Sequence, residues 1–300
     1  MDVSPQEFRE VQKLVRSLCG LVLTDDKMYL VKSRLESVVR THGLNSFAEY
    51  LSRVVHFSAV KMRDELVEAL TTGETSFNRD GHPFEALRRQ ILPELEVKIR
   101  HRRQTNYPVP LSRIWSAGCS TGQEPYSIAM AILDYVAGEA ANGVSAKSFP
   151  ILATDVSARN LNIARAGRYT ERELDRGVTM DQKRRFFHRA DDGWDVNDSL
   201  RSQIEFRRLN FMDPVDQIGP FDMIFCRNVL IYFDDASRQR LCDLFHRLLS
   251  DEGMLILGAA ENLYGLETDF QSEPIGGTYV YRKHHDPSHG GFATSESPRA

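Results

Sequence analysis

The sequence predicts an α/β fold: a parallel sheet with helices on both faces, interrupted by a small antiparallel β insertion and preceded by an all-α N-terminal domain. Three observations carry that expectation. Residues 1–104 hold helical signals only; from residue 105 short apolar runs alternate with helical patterns; and Phe186–Phe211 breaks the alternation with a hairpin-turn signal, Asp191-Asp192-Gly193.

The helical region begins with Ser4-Pro5-Gln6-Glu7, a capping box with proline at the first helical position, followed by Phe8, Val11, Leu14, Val15 and Leu18 at helical spacing. A second helix is expected from Asp26 to His42, stopped by Gly43. Ser46 caps a third, carrying Phe47, Tyr50, Leu51 and Val54. Further helices are predicted over Val60–Leu70 and Pro83–Arg103. Asn106-Tyr107-Pro108-Val109-Pro110 then breaks the helix and sets the boundary at residue 104. Beyond it, strands are expected at Ile114–Ala117, Ile151–Thr154, Met223–Cys226 and Met254–Gly258, with Thr278–Tyr281 as a closing edge strand. Helices are expected at Glu124–Val136 and Ala236–Leu249, and one capped by Ser157. The last residues, 284–300, are rich in His, Ser, Pro and Gly and read as a disordered tail.

Composition narrows the function classes. A formal charge of −4 over 300 residues provides no global field for nucleic acid or an anionic membrane. The longest apolar stretches, such as Val229–Phe233, fall far short of a membrane span. Met1–Glu7 has neither the basic nor the apolar region of a signal peptide, so the cytoplasm is the expected compartment. Cys19, Cys119, Cys226 and Cys242 form no Cys-x-x-Cys pair, and no metal site is expected.

In an open α/β sheet, ligands bind beyond the carboxyl ends of the strands, which directs attention to three segments. The first, Ala117-Gly118-Cys119-Ser120-Thr121-Gly122-Gln123-Glu124, is a glycine turn without a phosphate-binding fingerprint or a P-loop lysine. Glu124, at the following helix start, repels a pyrophosphate and suits a cationic ligand such as an amino group. Glycine turns are also ordinary strand-to-helix connections, and both readings stand. The second segment ends in Asp155, which either binds the hydroxyls of a ribose or caps the next helix. The third, Cys226–Asp234, puts Arg227 and Asn228 at a strand end and embeds Tyr232 among apolar residues, where it serves either the crevice or the core. A ribose-binding acid, a glycine turn without phosphate chemistry and a carboxylate for an amino group together suggest S-adenosylmethionine.

At these residues the chain becomes recognisable. Ser116–Ser127, Ala153-Thr154-Asp155 and Cys226–Phe233 resemble the chemotaxis-receptor glutamate methyltransferase family (CheR). Thr71–Asp80 resembles the same family's cofactor-covering segment, and the resemblance extends over residues 5–283. It implies a Rossmann-like class I methyltransferase domain at 105–283, with the β insertion at 186–211, behind a helical domain at 1–104. It further implies S-adenosylmethionine as cofactor, S-adenosylhomocysteine as product, no metal, and a monomer. The methyl group would pass to glutamates on the cytoplasmic helices of chemoreceptors (methyl-accepting chemotaxis proteins), giving γ-glutamyl methyl esters that tune adaptation.

By the same resemblance Glu124 would hold the cofactor's amino-acid part, Asp155 its ribose, and Asn210 and Phe211 would flank its adenine. Arg227 and Asn228 would be further cofactor contacts, and Gly73, Thr75 and Arg79 would approach from the helical side. The family commonly has asparagine where this chain has Gly73, which removes a side-chain contact. Arg79 and Tyr232 are the candidate catalytic residues, orienting the incoming carboxylate; otherwise they are a surface ion-pair residue and a core residue. A glutamate, with a pKa of about 4.3, is already ionised at neutral pH, so the reaction needs positioning rather than a general base.

Receptor docking is expected from the helix Lys27–His42, with Lys27, Lys32, Arg34 and Arg40, or that face is simply solvated; Glu36 interrupts it. Two rivals are a class I methyltransferase with another substrate and a cofactor-binding regulatory module without transfer activity. The first lacks the Asn-Pro-Pro-Tyr type of turn at Arg227–Leu230, and the second would have been favoured by loss of Arg79 or Tyr232.

Overall fold

The computed structural model describes residues 1–283 apart from 139, 140, 142 and 216; the predicted disordered tail lies outside the described residues. The N-terminal helices are α1 (Pro5–Cys19), α2 (Met28–Thr41), α3 (Phe47–Val54) and α4 (Val60–Leu70). Glu7 N–H donates to Ser4 Oγ at 3.2 Å and Ser4 N–H to Glu7 Oε2 at 2.8 Å, so both orphan donors at the start of α1 are satisfied. Phe8, Val11 and Val15 of α1 pack with Val31, Leu35 and Val39 of α2 and with Phe47, Tyr50 and Val54 of α3, each at helical spacing.

After a segment from Thr71 to Gly81 come α5 (His82–Ala86), a π-helical turn (Leu87–Ile91) and α6 (Leu92–Gln104), forming one continuous rod. Pro93 has no N–H for the carbonyl of residue 89 and its ring crowds that oxygen; the helix widens there, with Leu92 N–H bonded to the Leu87 carbonyl. The sequence reading placed this rod in the helical domain. Its residues Phe84, Leu87, Ile91, Leu95 and Ile99 instead share a core with Ile128, Met223 and Met254, so the packing boundary falls after Leu70 and not at residue 104. An amphipathic pattern announces a buried face without saying which core receives it.

The remaining elements are β1 (Ile114–Ala117), α7 (Gln123–Val136), β2 (Ile151–Asp155), α8 (Ala158–Ala166), β3 (Arg168–Tyr169), α9 (Glu171–Asp175), α10 (Met180–Phe186), β4 (Phe187–Ala190) and β5 (Gly193–Val196). They continue with α11 (Asp198–Arg201), β6 (Ile204–Arg208), β7 (Phe221–Cys226), α12 (Asp235–Leu248), β8 (Leu249–Leu257), β9 (Phe270–Ile275) and β10 (Thr278–Lys283). The seven-stranded sheet has the order β6-β2-β1-β7-β8-β10-β9, parallel from β6 to β8, with β10 antiparallel to both its neighbours. Side chains alternate: Ile114, Met223, Phe225 and Met254 enter one core, and Trp115, Ile224 and Leu255 the other. With both faces covered, these strands read as continuous apolar runs.

Two strand assignments are corrected. The antiparallel sheet, β3-β5-β4, ends at Val196, whereas the sequence reading carried the insertion through 186–211. Ile204–Arg208 pairs in parallel with β2 and is an edge strand of the main sheet; its exposed polar residues conceal that membership. Thr278–Lys283 is covered on its outer side by β9, whose Phe-Gln-Ser-Glu-Pro-Ile is largely exposed and carries no apolar alternation. Among the described residues no helix is long and apolar enough to cross a membrane.

Candidate active site

Strand order reverses at β1, which has β2 on one side and β7 on the other, and the crevice beyond their carboxyl ends is the expected ligand position. A cleft opens there. Its lining includes Thr75, Arg79, Glu124, Asp155, Asn210, Phe211, Arg227, Asn228 and Tyr232, residues drawn from segments far apart in the chain. Gly73 stands beside it, its carbonyl accepting from Ser120 Oγ at 2.7 Å.

The turn after β1 needs its glycine. Gly118 has φ of 77°, and a Cβ there would lie 2.7 Å from Val229 Cγ2, so any side chain would collide with the turn after β7. Downstream of this turn α7 begins, and Glu124 in its first turn accepts from Ser116 Oγ at 2.8 Å and from Arg227 Nη1 at 3.2 Å. Burial pushes the Glu124 carboxyl above the usual carboxylate range, opposed by Arg227 and Ser116.

Arg227 is the electrostatic centre of the site. Its side chain is 1% exposed, so its charge depends on protein partners rather than water. Nη2 donates to Asp80 Oδ2 at 2.7 Å and to the Arg79 carbonyl at 2.8 Å, while Nε is buried without a partner among the described residues. Arg227 thus joins the floor of the cleft to the segment that crosses its mouth.

Asp155 braces the second strand end. Its Oδ2 accepts from Ser120 N–H at 2.8 Å and its Oδ1 from Ser157 N–H at 2.9 Å. The cap of α8 is Ser157, whose Oγ accepts from Asn160 N–H at 3.1 Å, so the capping reading of Asp155 is corrected. Burial raises the Asp155 carboxyl pKa against the two backbone donors and the Asn160 side chain. The Asn160 side chain is a third donor to this carboxylate, so a ligand's hydroxyls would compete with it for the remaining lone pairs.

The helical domain forms the opposite wall. Asn210 Nδ2 donates to the Leu18 carbonyl at 2.6 Å and its Oδ1 accepts from Met212 N–H at 3.1 Å. Phe211 meets Trp115 and Phe245 edge-on, at centroid distances of 6.1 and 6.2 Å. Val22 N–H donates to the Tyr232 carbonyl at 2.9 Å, and Arg208 forks onto Asp64 at 3.0 and 2.5 Å. Tyr232 is half-buried against the helical core, and its hydroxyl makes no hydrogen bond among the described residues. Arg79 is likewise lightly held: Nη1 donates to the Glu74 carbonyl at 3.3 Å.

Sequence reasoning missed Glu261. Its carboxylate accepts from the N–H groups of Asn228 (2.6 Å), Val229 (2.9 Å), Ile231 (3.2 Å) and Gly258 (2.8 Å), fastening the Arg227–Tyr232 turn to the end of β8. Inspecting the fourth strand end by the rule used for the other three would have found it. Ser120 and Asn160 were also passed over, although both line the cleft.

A family model described as "CheR methyltransferase, SAM binding domain" matches residues 73–277, and one described as "CheR methyltransferase, all-alpha domain" matches residues 6–71. A curated relative, the chemotaxis protein methyltransferase of Vibrio parahaemolyticus, is 39% identical over 281 residues, covering 93% of this chain and 98% of the relative. Chemotaxis protein methyltransferase 1 of Pseudomonas aeruginosa is 37% identical over 284 residues, covering 94% and 99%. The junction between the two family models coincides with the packing boundary after Leu70.

Proposed function

Because the chain belongs to the CheR methyltransferase family, we propose that it methylates glutamate side chains of chemoreceptors, giving γ-glutamyl methyl esters. The observation that carries this reading is the family match across both domains, combined with a cleft that fits the family's cofactor. Glu124 and Asp155 supply carboxylates for an ammonium and for ribose hydroxyls, and buried Arg227 Nε has an N–H donor to spare for a ligand carboxylate. Asn210, Phe211 and Asn228 would complete that contact set, with Gly73 and Thr75 on the mouth side.

Bound there, S-adenosylmethionine would supply a methyl group already activated on a sulfonium, for which an ionised glutamate is nucleophile enough without a general base. The chain's own contribution is therefore to orient and to exclude water. Arg79, on the mouth segment, would orient an arriving carboxylate through its guanidinium, and Tyr232, which also lines the cleft, would add its hydroxyl. Because the two reacting charges cancel, a cation that gripped the carboxylate too tightly would stabilise the reactants; Arg79 serves the reaction by alignment. Recognition of an acidic receptor helix by α2 would require Lys32 and Arg40 to exchange their internal partners, Asp2 and Glu36, for receptor carboxylates.

The test is transfer of radiolabelled methyl to cytoplasmic receptor fragments, followed by mild alkali. Label released as methanol is expected, since carboxyl esters hydrolyse under those conditions; alkali-stable label would assign the methyl to another acceptor atom and overturn the glutamate reading.

A pH dependence follows from the two buried carboxyls. Ligand contact favours their ionised forms, so binding releases protons and affinity rises with pH until both are ionised. Burial has raised Glu124 from 4.5 and Asp155 from 3.8, so on acidification the loss of affinity sets in with Glu124, above 4.5. Calorimetry with S-adenosylhomocysteine across that range reads the effect; affinity that holds steady until below 4.5 would contradict it.

A further inference from the structure

We propose that the small antiparallel subdomain sets the position of Arg79, through Phe77 and Asn78, and so acts as the scaffold of the methyl-transfer step; this rests on the reading of Arg79 as the residue that orients the incoming carboxylate. Arg79 sits between two residues in the left-handed region, Asn78 with φ of 46° and Asp80 with φ of 68°. Non-glycine residues adopt that conformation at a cost and hold it only where contacts impose it. The contacts on the Asp80 side come from Arg227.

On the Asn78 side they come largely from the subdomain. Asn78 Nδ2 donates to the Gly177 carbonyl at 2.8 Å and to Gln182 Oε1 at 3.2 Å, while its backbone N–H donates to Ser127 Oγ at 2.9 Å. Phe77 is fully buried, edge-on to Tyr169 of β3 at 4.9 Å and to Phe187 of β4 at 5.5 Å. A Cβ on Gly177 would stand 1.8 Å from the Phe77 carbonyl oxygen, so the two backbones are in direct contact. Phe77 and Asn78 therefore anchor to β3, β4, α10 and the turn after α9, none of whose residues lines the cofactor cleft. Arg79, immediately following, inherits its placement from that anchor, since its guanidinium has little else to hold it.

Asn78→Asp tests the link. Aspartate tolerates the left-handed conformation and matches asparagine in shape, yet it cannot donate to the Gly177 carbonyl. Gly177→Ala tests it from the other side, pressing on the Phe77 backbone without touching the cleft. Each is expected to lower kcat roughly ten- to hundredfold, the scale for misplacing a positioning group by about an ångström. Amide hydrogen exchange over residues 74–80 is expected to quicken in Asn78→Asp, and its melting temperature to stay near that of the parent protein. In an Arg79→Ala background Asn78→Asp is expected to add no further loss, because both changes remove the same function. Additive losses would make Asn78 a structural residue only, and unchanged kcat and exchange in both variants would overturn the proposal. Unimpaired transfer by Arg79→Ala alone would instead remove the catalytic reading of Arg79, a distinct outcome.

Discussion

Arg79→Ala is expected to retain S-adenosylhomocysteine binding and to lose methyl transfer by about 100-fold or more. The magnitude follows from what the side chain is asked to supply. Carboxylate and methyl must meet in line, and geometric control of that kind contributes on the order of several kcal/mol to a reaction with no proton transfer to assist. Arg79 faces the cleft with one hydrogen bond of 3.3 Å to the Glu74 carbonyl, so its loss disrupts little internal structure. The cofactor's proposed anchors, Glu124 and Asp155, lie on other elements, which is why binding and transfer should separate. Single-turnover transfer measured beside calorimetric affinity reads both quantities. Undiminished transfer would take Arg79 out of the mechanism, and a parallel loss of affinity would make it a cofactor ligand first.

Asp155→Ala is expected to weaken cofactor affinity by roughly 100-fold, with kcat at saturation much less affected. A buried carboxylate that accepts two ribose hydroxyls makes charge-assisted bonds worth about 1.5–3 kcal/mol each, part of which water recovers in the unbound protein. The substitution also frees the N–H groups of Ser120 and Ser157, which Asp155 now holds at 2.8 and 2.9 Å, loosening the turn after β1. Asp155→Asn separates the two effects: an amide keeps one acceptor for the backbone and loses the charge. The two variants are expected to rank Ala below Asn below the parent in affinity for S-adenosylhomocysteine. Equal affinity in all three would sink the ribose assignment.

How far the sequence reaches is clearest where neighbouring residues decide the outcome. Ser4 with Glu7 starts α1, Ser46 starts α3, and Gly20 closes α1 through a left-handed φ of 75°, each within one turn of helix. The apolar runs at 114–117, 151–154 and 223–226 are legible as strands because both faces of that sheet are covered. The polar residues at or after the ends of those runs, Glu124, Asp155 and Arg227, were legible as site candidates for the same reason: topology sends a parallel sheet's strand ends to one crevice.

Other features exist only once distant segments meet. Nothing local assigns the rod 82–104 to the sheet's core or Ile204–Arg208 to the main sheet's edge. Glu261 has no pattern around it that announces four backbone partners, three of them about 30 residues away. Asn78 reaches a carbonyl 99 residues further along the chain. Caps, glycine stops and hydrophobic period express free energies settled among adjacent residues, and those the sequence by itself determined. The choice of which buried face meets which, and hence what holds Arg79 over the cleft, depends on packing between elements far apart in sequence, and only the tertiary structure decided it.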